Sequence, residues 1–193
     1  TFEKILSELI FDSLSLLKTS FSFNNISSAI DIGTGGGIPG IPLKIVFPHI
    51  YFCFLDSNHK KINFINMVSE CLNLVNFSIV CERAEILGIN PSYRERYDLS
   101  FSRALGSLST SLELTTPFIK VNGCSILFKG TAYQEEISSS HHSFSILNCR
   151  LESISHVSIP FSNRLNYIIL FKKISPTPSI YPRRLGIPKK RPL

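Results

Sequence analysis

The chain has 193 residues, 44% of them hydrophobic and 18% charged. That is material for one domain with a core and excludes a disordered chain. The longest run free of Asp, Glu, Lys and Arg is Ile137–Cys149, rich in Ser and His, so nothing approaches the roughly 18 apolar residues a membrane-spanning helix needs. Net charge is +6, yet residues 174–193 hold Arg183, Arg184, Lys189, Lys190 and Arg191 and no acid, while the 173 residues before them carry 15 basic and 14 acidic side chains. A neutral body with a basic tail suits a polyanionic partner such as nucleic acid, or a solvated end.

In chain order, residues 1–18 place Phe2, Ile5, Leu6, Leu9, Ile10, Leu14 and Leu17 at helical spacing, which predicts an amphipathic helix. Glu3, Glu8 and Asp12 in that segment argue against a secretory signal, so a cytoplasmic location is expected. Residues 19–28 are Ser/Asn-rich and read as a connector. Strands are predicted at Ala29–Ile32, Ile50–Leu55, Phe77–Val80, Asp98–Phe101 and Cys124–Phe128, separated by helices at Ile41–Phe47, Lys60–Asn73 and Leu108–Ile119. Such alternation predicts an α/β fold with a mostly parallel sheet. Phe144–Ser155 and Arg164–Lys172 are longer alternating segments around Pro160, expected as an antiparallel pair at a sheet edge. The last eighteen residues contain five prolines and are expected to be extended or tied to the surface, not helical. The expected organisation is one domain over 1–193, with an N-terminal helix (1–18), a Rossmann-like core (29–173) and a basic, proline-rich tail (174–193). Cys53, Cys71, Cys81, Cys124 and Cys149 never form a C-x-x-C pair, so they read as buried hydrophobes and no metal site is expected.

Chemistry concentrates in Asp31-Ile32-Gly33-Thr34-Gly35-Gly36-Gly37-Ile38-Pro39-Gly40, a strand end leading into a helix with Pro42 in its first turn. Glycines let a ligand approach the main chain closely. From Gly35 to Gly40 the string also matches the dinucleotide fingerprint. Two carboxylates favour another ligand. Asp31, two residues before the first glycine, can accept from an ammonium or an ordered water, and Asp56 at the end of the next strand can accept both hydroxyls of a ribose. Adenosine with an amino-acid tail, S-adenosylmethionine, fits the pair, with Asp31, Gly33, Gly35, Gly37 and Asp56 around it. After the fourth strand stands Ser102-Arg103-Ala104-Leu105, where adenine-amine methyltransferases carry Asn/Asp-Pro-Pro-aromatic, and no Pro-Cys occurs for base-carbon chemistry. Guanine N7 has a free lone pair and needs no base, so positioning and electrostatics suffice.

The segment 31–43, Asp-Ile-Gly-Thr-Gly-Gly-Gly-Ile-Pro-Gly-Ile-Pro-Leu, resembles the signature of the GidB (RsmG) family, guanine-N7 methyltransferases of small-subunit 16S ribosomal RNA. The match continues through Leu55-Asp56-Ser57, Lys60-Lys61, Arg83-Ala84-Glu85, Tyr97-Asp98, Ser102-Arg103-Ala104, Phe128-Lys129-Gly130 and Tyr181-Pro182-Arg183-Arg184 to Gly186-Ile187-Pro188-Lys189-Lys190. The resemblance implies a class I methyltransferase-like Rossmann fold. It implies Gly33 and Ile38 at the cofactor, Asp56 at its ribose, Ala84 and Glu85 at the adenine, and Arg103 at the cofactor–substrate junction. Lys60, Arg83 and Lys129 are then expected on the RNA side, joined by Arg183, Arg184, Lys189 and Lys190 of the tail. The implied partner is 16S rRNA or the small-subunit particle, met by a monomer. One departure is that Glu8-Leu9 stands where the family carries Arg-His before Asp12-Ser13, and one helix is expected where family members usually begin with several. A small-molecule methyltransferase and a non-catalytic RNA-binding module are the alternative readings.

Overall fold

The computed structural model describes residues 2–162 and 165–193. Its N-terminal segment is helical as expected but not uniform: α1 (Phe2–Ile5), a π-helical stretch (Leu6–Phe11), α2 (Asp12–Leu14) and a 3-10 turn (Ser15–Lys18) follow without a break. Then come β1 (Ser28–Ile32), α3 (Gly40–Val46), β2 (Tyr51–Asp56), α4 (His59–Cys71), β3 (Phe77–Cys81), α5 (Ala84–Leu87) and β4 (Tyr97–Arg103). The second half holds α6 (Leu108–Thr115), β5 (Ile119–Lys129), α7 (Tyr133–Ser139), α8 (His141–Ile146), β6 (Cys149–Val157), β7 (Asn166–Lys173) and α9 (Ile187–Lys190).

The sheet has seven strands in the order β3-β2-β1-β4-β5-β7-β6. β1 to β5 pair in parallel, while β7 runs antiparallel to β5 and to β6. The predicted α/β sheet with its antiparallel edge pair is therefore what forms. Strand order reverses between β1 and β4, and in such sheets the crevice at the carboxyl ends beside that switch point takes ligands. Alternation along the strands splits the core. Ala29, Phe52, Phe54 and Phe101 pack with Leu43 and Ile65 of α3 and α4 on one face. Ile30, Ile32 and Leu55 pack with Leu87 and Phe118 on the other, where Leu127, Ile169 and Phe171 meet Leu108, Leu112 and Phe144.

Three expectations are corrected. Phe144 does not open a strand: it lies in α8, and with Leu147 three residues on it fills the pocket against Phe171, so β6 starts only at Cys149. Helix 108–119 ends earlier, because Ile119 already pairs with Tyr97 as part of β5. The tail is tied down as expected, but it contains the helical turn α9, with Pro188 in the first turn where a missing N–H costs nothing. Helices α5 and α7 went unpredicted, being too short to show a period. Arg164, placed at a strand start by the sequence, lies outside the described residues.

The tail is held by polar side chains of the core. Arg94 donates from its guanidinium to the carbonyls of Thr177 (2.6 Å), Tyr181 (2.8 Å), Gly88 (2.9 Å) and Pro178 (3.2 Å). Buried Lys173 donates to Glu95, whose same oxygen accepts from the Thr177 N–H.

Candidate functional site

β1 ends in a loop whose conformation its glycines permit. At Gly33 φ is +69°, and its N–H and that of Thr34 both donate to the Leu55 carbonyl, at 2.8 and 3.0 Å. A side chain at Gly33 would place Cβ 2.7 Å from the Leu105 side chain. At Gly40 the reason is different: a Cβ there would lie 2.6 Å from both Asp31 and the Phe54 ring.

Asp31 lies fully buried under this loop. Its Oδ2 accepts from the Thr34 hydroxyl (2.8 Å) and the Gly40 N–H (3.0 Å), fixing the loop at both ends. Its Oδ1 is buried without a donor. Burial pushes this carboxyl up to about 7, against the lowering effect of those two hydrogen bonds. An orphaned acceptor beneath a glycine loop is the provision a bound ammonium or ordered water would satisfy.

Asp56 closes β2 one strand away. It accepts from the Gly35 N–H (3.0 Å) and the Asn58 N–H (2.9 Å), with the Lys61 ammonium at 3.6 Å. A carboxylate offers about four lone-pair sites, so two remain for a diol. Asp56 borders a hollow of about 340 Å³ lined also by Gly33, Ser57, Arg83, Ala84, Glu85 and Leu105, and closed on the tail side by Gly186 and Lys189. Glu85 accepts from the Gly186 N–H at 3.0 Å, so the tail forms a wall of this hollow.

Two more cavities adjoin it. An apolar one of about 900 Å³ runs between the N-terminal segment, the glycine loop and α4, with Gly35, Ile38 and Phe64 in its walls. A polar one of about 310 Å³ lies past the ends of β4 and β5, among Asp12, Arg103, Lys129, Glu136 and Asn166. Ala104 lines all three. Its φ is +55°, a left-handed conformation uncommon for a residue with a side chain and concentrated at functional sites.

The structure brings Gly33, Asp56, Arg83, Ala84 and Glu85 together around one hollow and puts Arg103 at the seam of the other two. Gly35 and Ile38 line the apolar cavity, whereas Asp31 lies beneath the loop and Gly37 is buried within it, where a Cβ would run into the Ile41 side chain. Arg103 is partly consumed, pairing with Asp12 at 3.0 Å and donating to the Glu8 carbonyl at 2.9 Å, so it anchors the N-terminal segment at the seam. Lys129 is likewise engaged, by Glu136 at 2.6 Å and the Gly106 carbonyl at 2.7 Å. Arg183 turns inward onto Glu113, a fully buried carboxylate, at 2.6 Å. Lys60 is exposed and borders none of these cavities, while Arg184 and Lys190 are exposed on the tail.

Sequence reasoning missed Lys61, which lines two cavities where Lys60 lines neither. Adjacent helical residues point about 100° apart, so only the helix phase separates them. It also missed Asn166, which donates to Asp12 at 2.6 Å across the polar hollow, and Glu136; neither lies in a motif.

A parallel sheet switching at β1/β4, a glycine loop over an acidic residue, and a carboxylate ending β2 define the architecture of class I methyltransferases. Solved structures agree on the fold: an S-adenosylmethionine-dependent methyltransferase from Aquifex aeolicus superposes with TM-score 0.64 at 16% identity, covering 89% of this chain and 93% of that one. A putative methyltransferase bound to the Trm112 activator from Haloferax volcanii gives 0.65 at 10% identity, covering 90% and 93%. Closer kinship comes from sequence. The family model GidB, rRNA small subunit methyltransferase G, matches residues 1–165, and the chain belongs to that family. Ribosomal RNA small subunit methyltransferase G of Acetivibrio thermocellus is 43% identical over 99% of this chain and 78% of its own length. The protein of the same name from Alkaliphilus metalliredigens is 36% identical over 99% and 80%.

Proposed function

We propose that this chain methylates N7 of a guanine in 16S rRNA of the small ribosomal subunit, with S-adenosylmethionine as donor. The observation that supports it best is the meeting of three cavities at Ala104, in a member of the small-subunit rRNA methyltransferase G family. One cavity carries a diol-accepting carboxylate and a second carries polar groups suited to a base. Asp56 holds the ribose, Ala84 and Glu85 border the adenine, and the loop Gly33–Gly37 with Ile38 holds the amino-acid end over Asp31. Bound S-adenosylmethionine supplies an electrophilic sulfonium methyl. The guanine N7 lone pair forms the new N–CH3 bond as the S–CH3 bond breaks and its electrons stay on sulfur; N7 loses no proton, so no general base is required. The chain's part is positioning and electrostatics.

On the RNA side we assign Lys60, Arg83, Arg184, Lys189 and Lys190, which are exposed and free to meet phosphates. Lys129 and Arg183 shape the site through their carboxylate partners. Residues 1–193 act as one methyltransferase domain, because the tail is bonded back onto the core. The reading places the enzyme, as a monomer, in the cytoplasm with its ribosomal substrate; among the described residues no helix is long and apolar enough to cross a membrane. The test is to incubate the protein with methyl-labelled donor and small subunits lacking the modification, then map the label. A labelled guanine N7 supports the reading. Transfer only to small molecules, or RNA binding without transfer, would select one of the two alternatives.

A further inference from the structure

The polar hollow beyond β4 and β5 shares only Ala104 with the hollow beside Asp56. We propose that it seats the acceptor guanine, and that Lys129 and Glu136 read the base's Watson–Crick edge; this rests on the guanine reading above. Lys129 Nζ donates to Glu136 Oε2 (2.6 Å) and the Gly106 carbonyl (2.7 Å), which leaves one of its three protons for a ligand. Glu136 Oε1 accepts no bond among the described residues, and its side chain is 28% exposed. The hollow's other carboxylate, Asp12, is buried and engaged by Asn166 and Arg103. Lys129 and Glu136 therefore present a donor beside an acceptor.

Guanine offers the complement, with an O6 acceptor beside N1–H and N2–H2 donors, whereas adenine reverses the first two positions. On the purine rim O6 lies between N1 and N7. A guanine gripped at O6 by Lys129, and at N1–H and N2–H2 by the two oxygens of Glu136, thus carries N7 past O6, and Arg103 and Ala104 form the seam on which N7 can meet a methyl group. When N7 takes the methyl, the ring becomes cationic without losing a proton. A carboxylate at N1–H offsets that charge more strongly in the transition state than in the ground state, so Glu136 acts in catalysis as well as in recognition.

The test measures binding of guanosine, inosine and adenosine 5′-monophosphates to the full chain saturated with S-adenosylhomocysteine, by calorimetry or NMR titration. Inosine lacks only the 2-amino group, and its loss should weaken binding roughly tenfold; adenosine should bind more weakly still. Glu136→Gln should bring the guanosine/inosine ratio close to one, lower kcat on unmethylated small subunits, and leave the affinity for S-adenosylhomocysteine unchanged. Lys129→Met should relax discrimination against adenosine. Equal binding of the guanosine and inosine nucleotides by the unaltered protein overturns the proposal even if neither variant folds, as does an unchanged preference in a folded Glu136→Gln. Absence of methyl transfer to rRNA with the guanosine preference intact would instead remove the wider functional reading and leave this subsite standing.

Discussion

Replacing Arg183 with methionine strips the partner from a carboxylate that has no access to water. Glu113 is 0% exposed and takes the Arg183 backbone N–H at 2.8 Å, Nε at 2.8 and 3.1 Å, and Nη2 at 2.6 Å. After the substitution only the backbone N–H remains. Breaking a buried pair from one side costs about 3–5 kcal/mol, because the remaining charge stays desolvated. For a domain of this size each kcal/mol lowers the melting temperature by about 2–4 °C, so the shift should be on the order of 10 °C. Scanning calorimetry reads it, with Arg184→Met as the control: Arg184 is exposed and should move the midpoint by no more than about 2 °C. Adding Glu113→Gln to Arg183→Met should recover much of the loss, since the uncompensated charge is gone. Arg183→Met should also weaken the methyl donor, because Gly186 and Lys189 wall the hollow beside Asp56. A midpoint shift equal to that of Arg184→Met would refute a stabilising Arg183–Glu113 pair and return Arg183 to the RNA-facing charges.

Gly33→Val should abolish the thermal stabilisation by S-adenosylmethionine or S-adenosylhomocysteine, about 2.7 kcal/mol at a hundredfold excess over Kd, since both φ +69° and the Leu105 contact forbid a branched side chain; NAD should stabilise neither protein, and retained donor binding by the variant would count against the loop. Asp31 titrates near 7 folded and near its ordinary 3.8 unfolded, so its contribution is fully present below about pH 4 and is lost as pH rises through 7. The stability of Asp31→Asn relative to the parent should therefore rise between pH 4 and 7 and level off above, as followed by urea unfolding; a pH-independent difference would rule out the buried titration. Neutralising Arg184 and Lys190 together should reduce the salt slope of RNA binding by about 1.4, at about 0.7 per phosphate contact, with donor affinity unchanged; an unaltered slope would remove the tail from the RNA interface.

What the sequence determined by itself is what neighbouring residues impose on one another. The loop 31–40 was legible because Gly33 must take a positive φ and Gly40 must leave room for the Asp31 carboxylate, both requirements within one ten-residue segment. The parallel strands showed through their apolar runs, and Asp56 through its place at the end of one, where the sheet opens onto its crevice. The tertiary structure decided which charges are spent on the fold and which face a ligand. Arg183 and Lys189 belong to one basic motif, yet the first reaches a buried glutamate 70 residues back and the second lines a hollow. Phe144 had a strand-like neighbourhood and became helical because its ring packs on Phe171 of a strand yet to come. A cation's partner is set by which elements the sheet brings within about 3 Å, and that distance is created by folding. The chemistry of the loop is local and was readable; that Lys129 and Arg183 are held by carboxylates is long-range and was not.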